Sequence, residues 1–106
     1  MKTLRFGVLL LLCSMLAWAA PDWNGAWSNG SVELMMSEHG GSVQAQLGSA
    51  ERKFGLHGQM VKPDEVVLHG DDPEREICLY MQADGSLRVV NRMGASSVSY
   101  VLQRQD

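Results

Sequence analysis

Cysteine and long apolar runs are both scarce in this chain. Its 106 residues contain two cysteines, Cys13 and Cys78. The longest apolar stretch, Leu4 to Leu16, is broken by Ser14 and falls short of the roughly 20 apolar residues that a bilayer-spanning helix needs. The sequence therefore excludes a disulfide-dense scaffold and predicts no transmembrane segment.

The apolar stretch has the flanks of a secretory signal peptide. Lys2 and Arg5 give it a positive start, and Ala17-Trp18-Ala19 ends it with a small-x-small cleavage site. We expect residues 1–19 to be removed and residues 20–106 to form one small domain, exported to a periplasm or secreted. Leu12 occupies the position before Cys13 where a lipoprotein signal carries a small residue, so lipidation is not expected.

Removal of the signal changes the charge and the thiol content of the protein. Of nine basic residues, Lys2 and Arg5 are lost, which leaves seven against twelve acidic ones and a net charge of −5. Such a domain is a poor partner for nucleic acid or an anionic membrane. Cys78 becomes the sole thiol, so no intramolecular disulfide can form and stability must come from a packed core.

The mature chain also lacks long helical periodicity, and alternation of apolar and polar residues recurs between turn signals. We predict an all-β domain, an antiparallel up-and-down meander closed into a small barrel, with a β-sandwich as the alternative. Eight strands are expected, over residues 22–28, 31–38, 41–47, 53–60, 65–70, 76–82, 86–93 and 97–104.

Alternation also predicts how neighbouring strands align. A two-residue Asn29-Gly30 loop places Trp27 opposite Val32. A three-residue loop, 83–85, gives Ile77, Leu79 and Met81 apolar or uncharged partners in the next strand. The last turn, near Ala95 and Ser96, is expected to pair Val89 with Leu102 and Asn91 with Tyr100.

The opening Gly25-Ala26-Trp27 resembles the Gly-x-Trp signature of lipocalins, fatty-acid-binding proteins and avidins. In those calycin-type families an arginine of the last strand packs across this tryptophan and closes the barrel. The resemblance implies the same role for Arg104, and a small ligand-carrying barrel as one function.

Motifs for catalysis and for cofactors are missing from the sequence. No serine lies in a Gly-x-Ser-x-Gly setting, and Cys78 has no neighbouring His or Arg in sequence that would lower its pKa. His57 and His69 are predicted to face each other across a hairpin, but nothing in the spacing supplies a third metal ligand. We therefore expect neither an enzyme, a metal site nor a cofactor.

The predicted outer face of strands five to eight favours a binding role. Four apolar residues form a row there, rimmed by an aromatic and two arginine side chains, as partner surfaces often are. The first hypothesis is a non-enzymatic protein that binds a partner, such as a basic enzyme in an inhibitor-like manner, or a second copy of itself. The proposed contact residues are Val67, Cys78, Val90, Val101, Tyr80, Arg88 and Arg92.

The alternative hypothesis is a carrier of a small apolar ligand inside the barrel. Methionines repack around irregular guests, and a polar pair could orient one end of a ligand. The lining residues would be Trp27, Met36, Met60, Met81, Asn91 and Tyr100.

The signal-peptide assignment makes a prediction about the exported protein. Cleavage after Ala19 leaves Ala20 as the first residue, whereas cleavage after Ala20 would place Pro21 directly after the scissile bond and Trp18 where a small residue is required. Intact-mass spectrometry of the exported protein should give the mass of residues 20–106. The full-length mass would contradict the assignment.

Overall fold

A computed structural model describes residues 21–105, which form an all-β domain. The predicted signal peptide, residues 1–19, and the residues Ala20 and Asp106 lie outside the described part. Each strand pairs antiparallel with the next, and the last pairs with the first, so the meander closes into a barrel as predicted. The strands are β1 Gly25–Ser28, β2 Glu33–His39, β3 Ser42–Gly48, β4 Lys53–Lys62, β5 Glu65–His69, β6 Arg75–Met81, β7 Leu87–Met93 and β8 Ser96–Gln105.

Residues 21–105 include no helix with the length and apolar character that a membrane crossing requires.

The β6–β7 hairpin has the predicted register. Ile77 pairs with Asn91, Leu79 with Val89 and Met81 with Leu87. Gly85 has a φ of 87°, in the left-handed region that glycine adopts without a steric penalty. The Asp84 carboxylate accepts hydrogen bonds from the backbone N–H of Ser86 at 2.9 Å and from its hydroxyl at 2.6 Å, which fixes the loop.

The predicted alignment of the first hairpin is wrong by two residues. Trp27 pairs with Leu34 rather than with Val32. The Asn29 side-chain oxygen accepts hydrogen bonds from the backbone N–H groups of Ser31 and Val32, at 2.9 Å and 2.8 Å, and this lengthens the loop to residues 29–32. The shift is by two residues, so the same side chains still face the interior.

The predicted alignment of the last hairpin is also wrong by two residues. Val89 pairs with Tyr100 and Asn91 with Val98, because the chain turns at Gly94 and Ala95, one residue earlier than predicted. Gly94 adopts a φ of 58° and its N–H donates to the Glu74 carbonyl at 3.2 Å. The predicted pairs Val89 with Leu102 and Asn91 with Tyr100 are therefore wrong, although all four side chains keep their predicted face.

The inward side chains of all eight strands, with Trp23, pack into one apolar cluster. Trp27, Leu34, Leu68, Ile77 and Leu79 have no exposed surface. Complete burial of side chains of this size contributes about 1.5–3 kcal/mol each. The cluster consists of Trp23, Trp27, Leu34, Met36, Val43, Ala45, Leu47, Leu56, Val66, Leu68, Ile77, Leu79, Leu87, Val89 and Leu102.

Arg104 links β8 to β1 and to the segment that precedes β1. Its guanidinium lies 4.4 Å from the centroid of the Trp27 ring, directly across the β1–β8 pairing. The same group donates hydrogen bonds to the carbonyl oxygens of Asn24, at 2.9 Å, and Asp22. Nearby in the chain, the Trp23 indole N–H donates to the Pro63 carbonyl at 3.2 Å. The arginine-on-tryptophan contact that the resemblance implied is thus present.

Gly58 permits a close approach of β4 to β5. A Cβ atom at this position would overlap the Val67 carbonyl oxygen and lie 2.8 Å from its carbon, whereas a Cβ atom at Gly55, on the same strand, meets nothing within 4 Å. Backbone atoms cannot move aside as a flexible side chain can.

The two glycines should therefore differ in their response to alanine. We expect Gly58→Ala to lower the free energy of unfolding by about 2 kcal/mol or more through overpacking. Gly55→Ala should leave it unchanged or raise it by up to about 1 kcal/mol. Urea unfolding of both variants measures the difference, and equal midpoints would contradict the close approach.

Candidate functional site

The outward side chains of the last four strands share one surface, here called the β5–β8 outer face. Val67 pairs with Cys78, and Cys78 with Val90, so the predicted apolar row exists across three strands. The structure brings the proposed contact residues to this face: Val67, Cys78, Tyr80, Arg88, Val90, Arg92 and Val101.

The fourth strand of the row differs from the prediction. Ser99, not Val101, stands opposite Val90, because of the shifted register of the last hairpin. Val101 pairs instead with Arg88, which on its other side pairs with Tyr80. The apolar row therefore ends at β7, and Val101 belongs to an adjacent row that runs from Tyr80 through Arg88.

The middle of this face is covered by its own long side chains. The Arg88 guanidinium lies 5.7 Å from the Tyr80 ring centroid, and Arg92 forms an ion pair with Glu76 at 3.5 Å. Cys78 is 4% exposed and Val90 8% exposed, whereas Val101 is 45% exposed. Val101 and Arg88 are therefore open to solvent on this face, whereas Cys78 and Val90 are not.

The environment of Cys78 disfavours its thiolate. Burial raises the pKa of the thiol above its ordinary value, and the nearby Glu76 carboxylate raises it further, with partial compensation from Arg92. The thiol donates a weak hydrogen bond to Glu76 Oε1 at 3.8 Å. The arrangement is the opposite of the electropositive, exposed setting that activates a cysteine.

The residues proposed to line an interior ligand site belong largely to the packed core. Trp27 and Met36 are buried within it, and Met60, Met81 and Tyr100 are packed against it and partly buried. Burial raises the pKa of the Tyr100 hydroxyl, with a smaller opposing effect from Arg75. Side chains occupy the interior that a ligand would need.

Two polar groups of the candidate interior site lack a partner: Asn91 lacks the predicted one, and the Trp27 indole has no acceptor among the described residues. Asn91 lies between Ile77 and Val98, so it does not stand opposite Tyr100. The Trp27 indole N–H is buried without a hydrogen-bond acceptor in the described part of the chain, at a cost of about 1–3 kcal/mol.

The two histidines of β4 and β5 face each other as predicted. His57 pairs with His69, and both are exposed. In residues 21–105, however, no three His, Cys, Asp or Glu side chains lie together as a metal site requires.

A groove on the opposite side of the barrel was missed at the sequence level. It lies on the outward surface of β1–β4, is open to solvent and has a volume of about 910 Å³. Its lining residues are Gly25, Ala26, Met35, Met36, Ser37, Gln44, Ala45, Gln46, Gly55, Leu56 and His57. The short outward side chains of Ala26, Ser37 and Gly55 were a signal for it, but its depth depends on sheet curvature, which alternation alone does not give.

The described residues thus define a small, closed, antiparallel β-barrel of eight strands with a packed interior. In comparisons with known proteins, no family model, curated protein or solved structure matches the chain significantly.

The burial of Cys78 makes a prediction about its reactivity. Its raised pKa keeps the thiolate fraction low at any pH below that pKa, so labelling by a disulfide reagent should be slow and should continue to accelerate at alkaline pH. The control is a double variant, Cys78→Ser with Ser99→Cys, in which the single thiol lies at an exposed position of the same face.

At pH 8 we expect the wild-type thiol to react at least about tenfold more slowly than the thiol of the double variant. The rate of the double variant should level off at a lower pH. Equal rates with the same pH midpoint would contradict the environment described for Cys78.

Proposed function

We propose that this chain is an exported, non-enzymatic binding protein that contacts a protein partner through the β5–β8 outer face. The observation that carries the proposal is the position of Val101, 45% exposed, beside the stacked Tyr80 and Arg88. Tyrosine and arginine are enriched among residues that dominate binding energy, and an apolar contact beside them is typical of an interface centre.

The covered middle of this face supports the same proposal. Cys78 and Val90 are nearly inaccessible, so a partner would meet the longer side chains around them, among which Arg88 is already stacked on Tyr80. The ion pair of Arg92 with Glu76 restrains the opposite rim. A surface whose contact groups are already ordered loses less side-chain entropy on binding.

Charge favours a basic partner at long range. The mature chain carries seven basic and twelve acidic residues, and a net negative charge accelerates encounters with positively charged proteins. The contact itself would rest on Val101 and the stacked Tyr80 and Arg88, while the overall negative charge acts before contact is made. An inhibitor-like role toward a basic enzyme follows from these properties as part of the proposal.

The environment of Cys78 supports the non-enzymatic part of the proposal. Catalytic cysteines need a lowered pKa and access to substrate, and Cys78 has a raised pKa and is buried.

The packed interior supports a surface function over the carrier hypothesis. A ligand would have to displace buried side chains such as Leu68 and Ile77, which have no exposed surface. The contact of Arg104 with Trp27 supports a calycin-type architecture for the barrel. We do not extend this proposal to ligand transport, because a shared fold does not imply a shared function.

Site-specific photo-crosslinking tests the proposed face. A photoreactive amino acid at position 101 should give a defined crosslinked adduct with proteins of the same compartment, because this side chain would lie within the interface. The matched position is Met35, which is 53% exposed and lies on β2, a strand that pairs with none of the strands β5 to β8.

An adduct of twice the mass of the mature chain would identify the partner as a second copy, which also fits the proposal. Adding Arg88→Ala should weaken a defined adduct, since it removes the group stacked on Tyr80. Equal labelling from positions 101 and 35, or none from 101, would contradict the proposal.

A further inference from the structure

Two rows of residues, each paired across neighbouring strands, line the groove on β1–β4. One cross-strand row runs through Ala26, Met35, Gln46 and Gly55, and the next contains Ser37, Gln44 and His57. Ala26, Ser37 and Gly55 have short side chains or none, and the lining also includes the core residues Met36, Ala45 and Leu56. The longer side chains of Met35, Gln44, Gln46 and His57 rise around them.

The lining carries one imidazole, that of His57, and no carboxylate, ammonium or guanidinium group. None of the lining residues is an Asp, Glu, Lys or Arg. Ser37, Gln44, Gln46 and His57 are exposed, and none of their side chains bonds to another residue in the range 21–105. The two amides each offer donors and an acceptor, and the hydroxyl can act as either.

An apolar contact lies among these polar groups. Met35 is 53% exposed, an unusual position for a large apolar side chain, and it stands between Ala26 and Gln46 in its row. A flexible thioether adapts to irregular apolar surfaces. The groove therefore combines a largely apolar lining, with the adaptable Met35 exposed in it, and several hydrogen-bonding side chains that have no partner in residues 21–105.

We propose that this groove binds a neutral oligosaccharide. Sugar hydroxyls would bond to Gln44, Gln46, Ser37 and His57, and a C–H face of one sugar ring would pack on Met35. This proposal concerns a different face from the one assigned to the protein partner, so it goes beyond that function and can fail without it.

Other classes of occupant fit the groove less well. An anion finds no Lys or Arg there, and a nucleic acid would also meet the net negative charge of the domain. A peptide cannot bind by strand addition, because the described barrel is closed and the groove lies on a sheet face rather than at an edge. Strand faces of other small barrels do hold oligosaccharides.

The test uses two neutral tetrasaccharides, maltotetraose and chitotetraose, titrated into the isotope-labelled mature protein. No aromatic side chain lines the groove, so we expect a dissociation constant in the millimolar range. At least one probe should shift the backbone amide resonances of residues 35–37, 44–46 and 55–57. The anionic tetragalacturonate should not.

Gly55→Leu adds a branched side chain inside the groove, and its Cβ atom would meet nothing within 4 Å. It should weaken binding at least about tenfold, while Ser99→Leu on the other side of the barrel should leave binding unchanged. Gln46→Ala, which removes one amide and adds no bulk, should weaken binding in the same direction. Urea unfolding of each variant confirms that the barrel is intact.

Three results would overturn the proposal: no shift with either neutral probe, shifts that map outside the groove, or equal binding by the Gly55→Leu variant.

Discussion

The closure of β8 on β1 is the constraint on which the rest of this structure depends. Arg104 stands directly opposite Trp27, lies across its ring and bonds to the carbonyl oxygens of Asn24 and Asp22. One side chain thus joins the last strand to the first strand and to the segment before it. Without this junction the sheet would have two free edges and an apolar face open to water, which is a predicted route to aggregation.

Closure in turn determines where function can lie. Eight strands enclose a volume about equal to that of the inward side chains, and in this protein two tryptophans and a set of aliphatic residues occupy it. Both proposed binding sites therefore lie on the outward surface. Its two halves differ in chemistry: the β5–β8 outer face carries arginines, an aromatic ring and an apolar row, while the groove on β1–β4 is almost free of charge.

Alternation and turn residues predicted most of the fold, because both act over a few neighbouring residues. The β6–β7 register followed from avoiding charge in the interior, and the pairing of His57 with His69 followed from the odd loop between their strands. Alternation is blind to a shift of two residues, which leaves every side chain on the same face. The first and last hairpins were misaligned in this way, and only the Asn29 hydrogen bonds and the turn at Gly94 settle their registers.

The candidate site was harder to predict, since it depends on the exact strand register, on side-chain exposure and on the shape of the sheet. Alternation of apolar and polar residues gives none of these. The row was expected to reach Val101, and the correct register separates this residue from Val90. The exposure of outward side chains was also difficult to predict, because Cys78 points outward and is still only 4% exposed beside longer side chains. The groove depends on curvature and on the empty space above Gly55, neither of which is visible in a one-dimensional pattern.

The central claim is that the interior of this barrel is packed and that recognition takes place outside it. Acrylamide quenching of tryptophan fluorescence in the mature protein tests the claim most directly, because Trp23 and Trp27 are 1% and 0% exposed and both belong to the core. The account predicts weak quenching in the folded protein and strong quenching after unfolding in urea. Strong quenching of the folded protein would show an interior open to small molecules and would contradict the account.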